Sequence, residues 1–81
     1  MAGAPDEKMD IPNLELGKYR HYKGKTYKVL GVALNSEDMQ LLVVYKPLYK
    51  SRVSLWARPY DMFVSSVVVA GVTMPRFEKL D

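Results

Sequence analysis

Chemistry in this sequence must be built from one histidine, four arginines and a generous set of aromatic rings, because cysteine is absent. A Cys–His nucleophile pair is therefore excluded. A Ser–His–acid triad would have to centre on His21, which lies between Arg20 and Tyr22 with no Gly-x-Ser-x-Gly elbow in the chain. His21 reads as a half-buried structural side chain or a ligand contact rather than a base. One histidine among scattered carboxylates gives no metal-ligand spacing, and Glu37-Asp38 lacks the oxygen-rich loop that calcium needs. The five glycines are dispersed, so no phosphate-cradling loop is formed. The expectation is a protein that is not an enzyme and carries neither cofactor nor metal.

Binding is better supplied. Trp56 and Arg58 fall two apart, on one face of an expected strand, with Tyr45 and Tyr49 upstream. Such a set can form an aromatic floor on which an arginine forks to a carboxylate or phosphate. His21 and Arg76, which sits between Pro75 and Phe77, are candidates for the same ligand-binding surface. Trp56 is equally suited to be the main core aromatic. The partner would be a peptide, a protein or a small ligand.

The alternative is nucleic acid. Lys18, Arg20, Lys23, Lys25 and Lys28 occur within eleven residues that contain no acid, interleaved with Tyr19, Tyr22 and Tyr27. Cations for phosphates and rings for base stacking are the ingredients of a nucleic-acid-binding sheet. Against this, alternation turns Tyr19 and Tyr27 inward and leaves Lys18, Arg20 and Lys28 as ordinary solvent-facing positions.

The elements that must position these residues read as strands and turns. Gly17–Tyr22 alternates, Lys23-Gly24-Lys25 turns, and Thr26–Leu34 forms a longer strand. One face of that strand carries Tyr27, Val29, Gly31 and Ala33, the other Lys28, Leu30, Val32 and Leu34. Gly31 and Ala33 mark a bend. Asn35-Ser36-Glu37-Asp38 is a polar turn. Gln40–Lys46, apolar on both faces, is expected as a central strand ended by Pro47. A fourth strand spans Val53–Arg58, and Pro59–Phe63 forms one helical turn. Val64–Val69 is the fifth strand. Ala70-Gly71 turns the chain into an edge segment over Val72–Leu80.

Five or six short hairpin-linked strands with one helical turn near 59–63 predict a mostly β fold, a small SH3-like barrel. An OB-fold would need a longer periodic helix than any segment supplies. Residues 1–12 read as a flexible acidic leader and 13–81 as a single small β-barrel domain.

Charge follows that division. Residues 1–16 hold one lysine against four acids, net −3, and residues 17–81 hold eleven basic residues against five acids, net +6. A basic body favours an anionic partner. The absence of a signal-like apolar stretch, of cysteine and of any membrane-length run fits a cytoplasmic protein with no membrane partner.

The run from Gly17 through Lys18-Tyr19-Arg20-His21-Tyr22-Lys23-Gly24-Lys25 to Tyr27 and Val29-Leu30-Gly31-Val32-Ala33 resembles a small family catalogued as a domain of unknown function, number sixteen fifty-three. The resemblance continues through Ser36-Glu37, Leu42-Val43-Val44-Tyr45, Leu48-Tyr49, Leu55-Trp56, Arg58-Pro59, Met62-Phe63 and Pro75-Arg76-Phe77. It covers about 17–80. It implies a stand-alone bacterial-type domain shaped like a compact β-barrel, without assigned activity or catalytic residues. Members often place a basic residue and a histidine before the Ser-Glu pair. This chain has Leu34 and Asn35 there, so no role resting on that histidine carries over.

Overall fold

The computed structural model describes residues 9–81; the first eight residues of the expected leader lie outside the described residues. Seven strands and one helical turn follow in order: β1 (Gly17–His21), β2 (Thr26–Leu34), β3 (Leu41–Pro47), β4 (Trp56–Pro59), α1 (Tyr60–Phe63), β5 (Ser66–Val69), β6 (Val72–Pro75) and β7 (Phe77–Lys79). A five-stranded antiparallel sheet has the order β4-β3-β2-β1-β7, and β5-β6 form a separate hairpin. No helix among the described residues is long and apolar enough to cross a membrane.

The turns follow their residues. Gly24, at φ 109°, takes a conformation that an L side chain resists, and its N–H donates to the His21 carbonyl at 2.7 Å. Asn35 and Asp38 close the β2–β3 turn by accepting backbone N–H bonds from Glu37 and Gln40 through their side-chain oxygens. Ala70 and Gly71, both at positive φ between paired Val69 and Val72, make the two-residue turn of the β5–β6 hairpin.

The fold is mostly β, as expected, and is built as two antiparallel sheets, the five-stranded sheet and the β5-β6 hairpin. Two sequence expectations are corrected. The expected single edge segment over Val72–Leu80 divides at Arg76: β6 stays with β5, whereas β7 crosses to pair with β1. The bend in β2 is a bulge between Val29 and Gly31, and it reverses the face assignment beyond it. Val32, expected opposite Val29, is paired with fully buried Val43 and shares its inward face. Smaller differences are that Pro47 is the last residue of β3, that β4 begins at Trp56 rather than Val53, and that β5 begins at Ser66.

The interior is aromatic. Tyr19, Tyr27, Tyr45, Phe63 and Phe77 join Val29 and Val43 as the buried cluster, with Leu14, Tyr49, Trp56 and Tyr60 packed against it. Phe63, delivered by α1, stacks on Phe77 at 4.1 Å with planes 9° apart, and Tyr45 meets both rings edgewise or tilted at about 5.5 Å. Buried tyrosine is tolerable only if its hydroxyl is bonded. Tyr19 Oη donates to the Glu15 carbonyl at 2.7 Å, and Tyr27 and Tyr49 share a hydroxyl–hydroxyl bond of 2.8 Å. Burial pushes the ionisation of both Tyr19 and Tyr27 upward.

Candidate functional site

The third buried tyrosine leads to the site. Tyr45 Oη accepts a 3.3 Å bond from Arg58 Nε, and the Arg58 guanidinium lies 5.4 Å from the centre of the Phe77 ring. Arg58 belongs to β4 and Phe77 to β7, the two edges of the five-stranded sheet. The sheet curls until its edges face each other, and side chains rather than backbone bonds span the gap.

His21, at the end of β1, meets the same ring edge-on at 4.9 Å. Its Nδ1 accepts the Lys23 N–H at 3.1 Å, which places the proton of the neutral ring on Nε2. The Tyr22 ring lies tilted against the imidazole, 4.6 Å between centres. Arg76 comes from the crossover between β6 and β7, where its N–H donates to the Ser65 carbonyl and its carbonyl accepts the Tyr22 N–H. Its side chain is fixed by Nε donating to Ser65 Oγ at 3.0 Å.

Burial, followed by the positive charges of Arg58, Arg76 and Lys23, holds the His21 imidazole below its ordinary value. The three charges acting on it share one sign. Both arginines are half-buried, each held through Nε, and among the described residues neither terminal fork of amino groups has a hydrogen-bond partner. Next to His21, a shallow depression of about 250 Å³ is lined by Arg20, Tyr22, Met74, Pro75 and Glu78.

Of the six residues read as ligand-binding, His21, Arg58 and Arg76 share this locality. Tyr45 is 1% exposed, so it supports Arg58 from below rather than presenting a surface. Tyr49 is occupied by Tyr27 and by Lys25, whose ammonium lies 4.7 Å from its ring. Trp56 is half-buried against Tyr27 and Tyr45, with its indole N–H donating to the Val53 carbonyl at 2.9 Å. It is mostly core. Sequence reasoning missed Phe77 as the floor and Ser65 as the Arg76 anchor. Phe77 was within reach, since it follows Arg76 directly, but Ser65 carries no signal of its own.

The residues of the nucleic-acid alternative are distributed as alternation requires. Tyr19 and Tyr27 are buried, while Lys18, Arg20 and Lys28 are exposed on the opposite face, and Lys23 and Lys25 flank the turn. Glu37 lies in the β2–β3 turn, at the end of β2 away from His21, and does not join it.

The family model for the protein of unknown function DUF1653 matches residues 17–79, from the first strand to the last. The chain belongs to the DUF1653 family. It is also similar to a solved structure, a crystal structure of a DUF1653 protein from Bordetella bronchiseptica. The two share 32% identity and a TM-score of 0.79, covering 84% of this chain and 88% of that one. No curated protein matches the chain. The matched span includes all three residues grouped around Phe77.

Proposed function

We propose that this DUF1653 domain is a non-catalytic binding module that takes an anionic group, a carboxylate or phosphate of a peptide, protein or small ligand, between Arg58, Arg76 and His21 on the Phe77 ring. One observation carries the reading. Two half-buried guanidiniums are each anchored through Nε, with their terminal forks without partners among the described residues, beside a neutral imidazole. Desolvating such charges is costly unless an anion meets them, and the arginine fork matches carboxylate and phosphate oxygens. His21 has one N–H to add, and among the described residues no carboxylate bonds its imidazole.

The test is a titration of the full chain with inorganic phosphate and with succinate, followed by NMR. Saturable shifts should centre on His21, Phe77 and the two arginines. Arg58→Gln and Arg76→Gln should each weaken binding about tenfold to a hundredfold, the value of one charge-assisted hydrogen bond. Unsaturable shifts, or unchanged affinity in a folded double variant, would refute the assignment.

A second reading, nucleic acid held on the outer face of β1 and β2, has one observation in its favour. Lys18 is directly opposite Lys28, and Lys28 is directly opposite Lys46 on β3, so three ammonium groups form a row across three strands. With Tyr19 and Tyr27 buried, that row offers phosphate contacts without their rings for stacking.

A further inference from the structure

The open edge of β4 is the one that Arg58 spans to Phe77, and beside Trp56 and Ala57, where no β7 residue lines the groove, it combines three properties of a docking surface. First, it is an unpaired edge: β4 pairs with β3 on one side and, among the described residues, with no strand on the other. Pro59 has no N–H, so its position opposite Leu42 is not a hydrogen-bonded pair. The alternation then assigns the ladder bonds to Arg58 and Trp56 and turns the N–H and C=O of exposed Ala57 outward.

Second, the loop leading into β4 displays apolar side chains in a fixed shape. Val53 and Leu55 are 59% and 56% exposed. The Val53 carbonyl between them receives both the Trp56 indole N–H at 2.9 Å and the Ser51 hydroxyl at 3.0 Å. The result is an open groove of about 510 Å³ lined by Val53, Leu55, Trp56 and Ala57, with Arg52 at its end. A loop pinned in this way loses little further freedom on binding.

Third, the stretch of chain that builds this edge is basic, and its Arg52 lines the groove. From Gln40 to Tyr60 the chain carries Lys46, Lys50, Arg52 and Arg58 and no acidic residue.

We infer that this edge accepts an extended acidic polypeptide segment as an added strand. Ala57 supplies the backbone bonds, an apolar side chain of the partner enters the groove beside Leu55, and its carboxylates face the flanking cations. Strand addition gains affinity from backbone pairing and selectivity from pockets for alternate side chains. A second copy of this chain fits poorly, because symmetric pairing of β4 brings the same basic residues together. A lipid surface fits poorly too, since it leaves the Ala57 N–H without an acceptor.

The experiment is selection of a displayed random-peptide library against the full chain. Enriched sequences should join an aliphatic or aromatic residue to neighbouring Asp or Glu. Leu55→Asp and Ala57→Pro should each weaken an enriched peptide about tenfold or more with the melting temperature retained. Proline is compatible with an edge position whose N–H points outward. Arg76→Gln should leave that peptide's affinity unchanged, which separates this surface from the anion site. Should Ala57→Pro unfold the domain, hydrogen exchange at the Ala57 amide replaces it, and the peptide should slow that exchange. The inference is overturned by enrichment of basic peptides or none, by peptide affinity indifferent to Leu55→Asp, by self-association that Leu55→Asp abolishes, or by binding to phosphatidylserine vesicles without peptide binding.

Discussion

Lysine at position 28 costs this fold stability, and reversing its charge should recover it. Lys28 faces Lys18 on one side and Lys46 on the other, in register across β1, β2 and β3. Side chains directly opposite in a sheet have Cβ atoms about 4.5–5.5 Å apart, and like charges there repel. Ammonium groups splayed to about 6–7 Å in water repel by roughly 0.6 kcal/mol per pair, and salt at 0.15 M, with its Debye length of about 8 Å, reduces this by about half. Lys28→Thr removes two such repulsions, and Lys28→Glu converts both to attractions. The expected gain for Lys28→Glu is about 1 kcal/mol at 0.15 M salt, about twice that at low salt, and close to nothing at 1 M. For a domain of this size 1 kcal/mol corresponds to a rise of about 4–8 °C in melting temperature. Urea titrations at three salt concentrations measure it, with Lys23→Glu as the control because Lys23 is exposed in a turn. Equal stabilisation by both substitutions would show that net charge, not the row, is responsible. A salt-independent gain would refute the electrostatic argument outright. The same variant bears on the nucleic-acid reading: loss of the central lysine should lower retention on single-stranded DNA and flatten its salt dependence.

Two further predictions concern the rim of the aromatic core. His21 has its proton affinity lowered in the folded state, so the unfolded chain binds that proton more readily, and stability should fall as pH drops through the ordinary value of 6.5 towards the folded one. His21→Gln should flatten this part of the stability–pH curve in thermal melts, and an unaltered slope would contradict the placement of His21 among positive charges. Tyr49→Phe removes the partner of the Tyr27 hydroxyl and should cost about 1–2 kcal/mol in urea denaturation, with a cost near zero showing that the 2.8 Å bond contributes nothing net.

Local structure was largely legible in the sequence, because it is set by local rules. The β2 limits at Thr26 and Leu34, the Gly24 turn, the Ala70-Gly71 turn and the helical turn after Pro59 all follow from residue type and spacing. Period-two reasoning failed at Leu30, since one extra residue in a strand reverses every face after it and leaves no mark in composition. It failed again at Arg76, where β6 ends at Pro75 and β7 begins at Phe77 in the other sheet, a junction that the pattern of residues 72–80 reads as one edge segment. Tyr45 was misjudged as surface for a related reason. A strand apolar on both faces does not announce which face the core takes, and Tyr45 turned out fully buried. His21, Arg58 and Arg76 could each be named from the sequence, but their convergence could not. They come from β1, β4 and the β6–β7 crossover, and Phe77 lies beneath them only because β7 changes sheets.

Both proposed surfaces trace to the same architectural fact, the unpaired relation between β4 and β7. Had those edges formed a hydrogen-bonded ladder, the outward N–H and C=O of Ala57 would be consumed and strand addition would have no template. The aromatic core is instead finished by side chains: Phe63 from α1 stacks on Phe77, and Arg58 lies across the same ring while tied to Tyr45. An aliphatic residue could cover Phe77 at lower desolvation cost, so the guanidinium at that place is poorly explained by packing alone. Its anchoring through Nε, with Arg76 held likewise by Ser65, leaves the terminal nitrogens of both arginines for an incoming anion. Replacing Arg58 with methionine, which keeps much of the apolar cover, discriminates the two roles. If the arginine is there for binding, Arg58→Met should retain or raise stability while weakening phosphate binding about tenfold or more. A variant that loses stability and keeps its affinity would make Arg58 a structural clasp and leave the anion site without its centre.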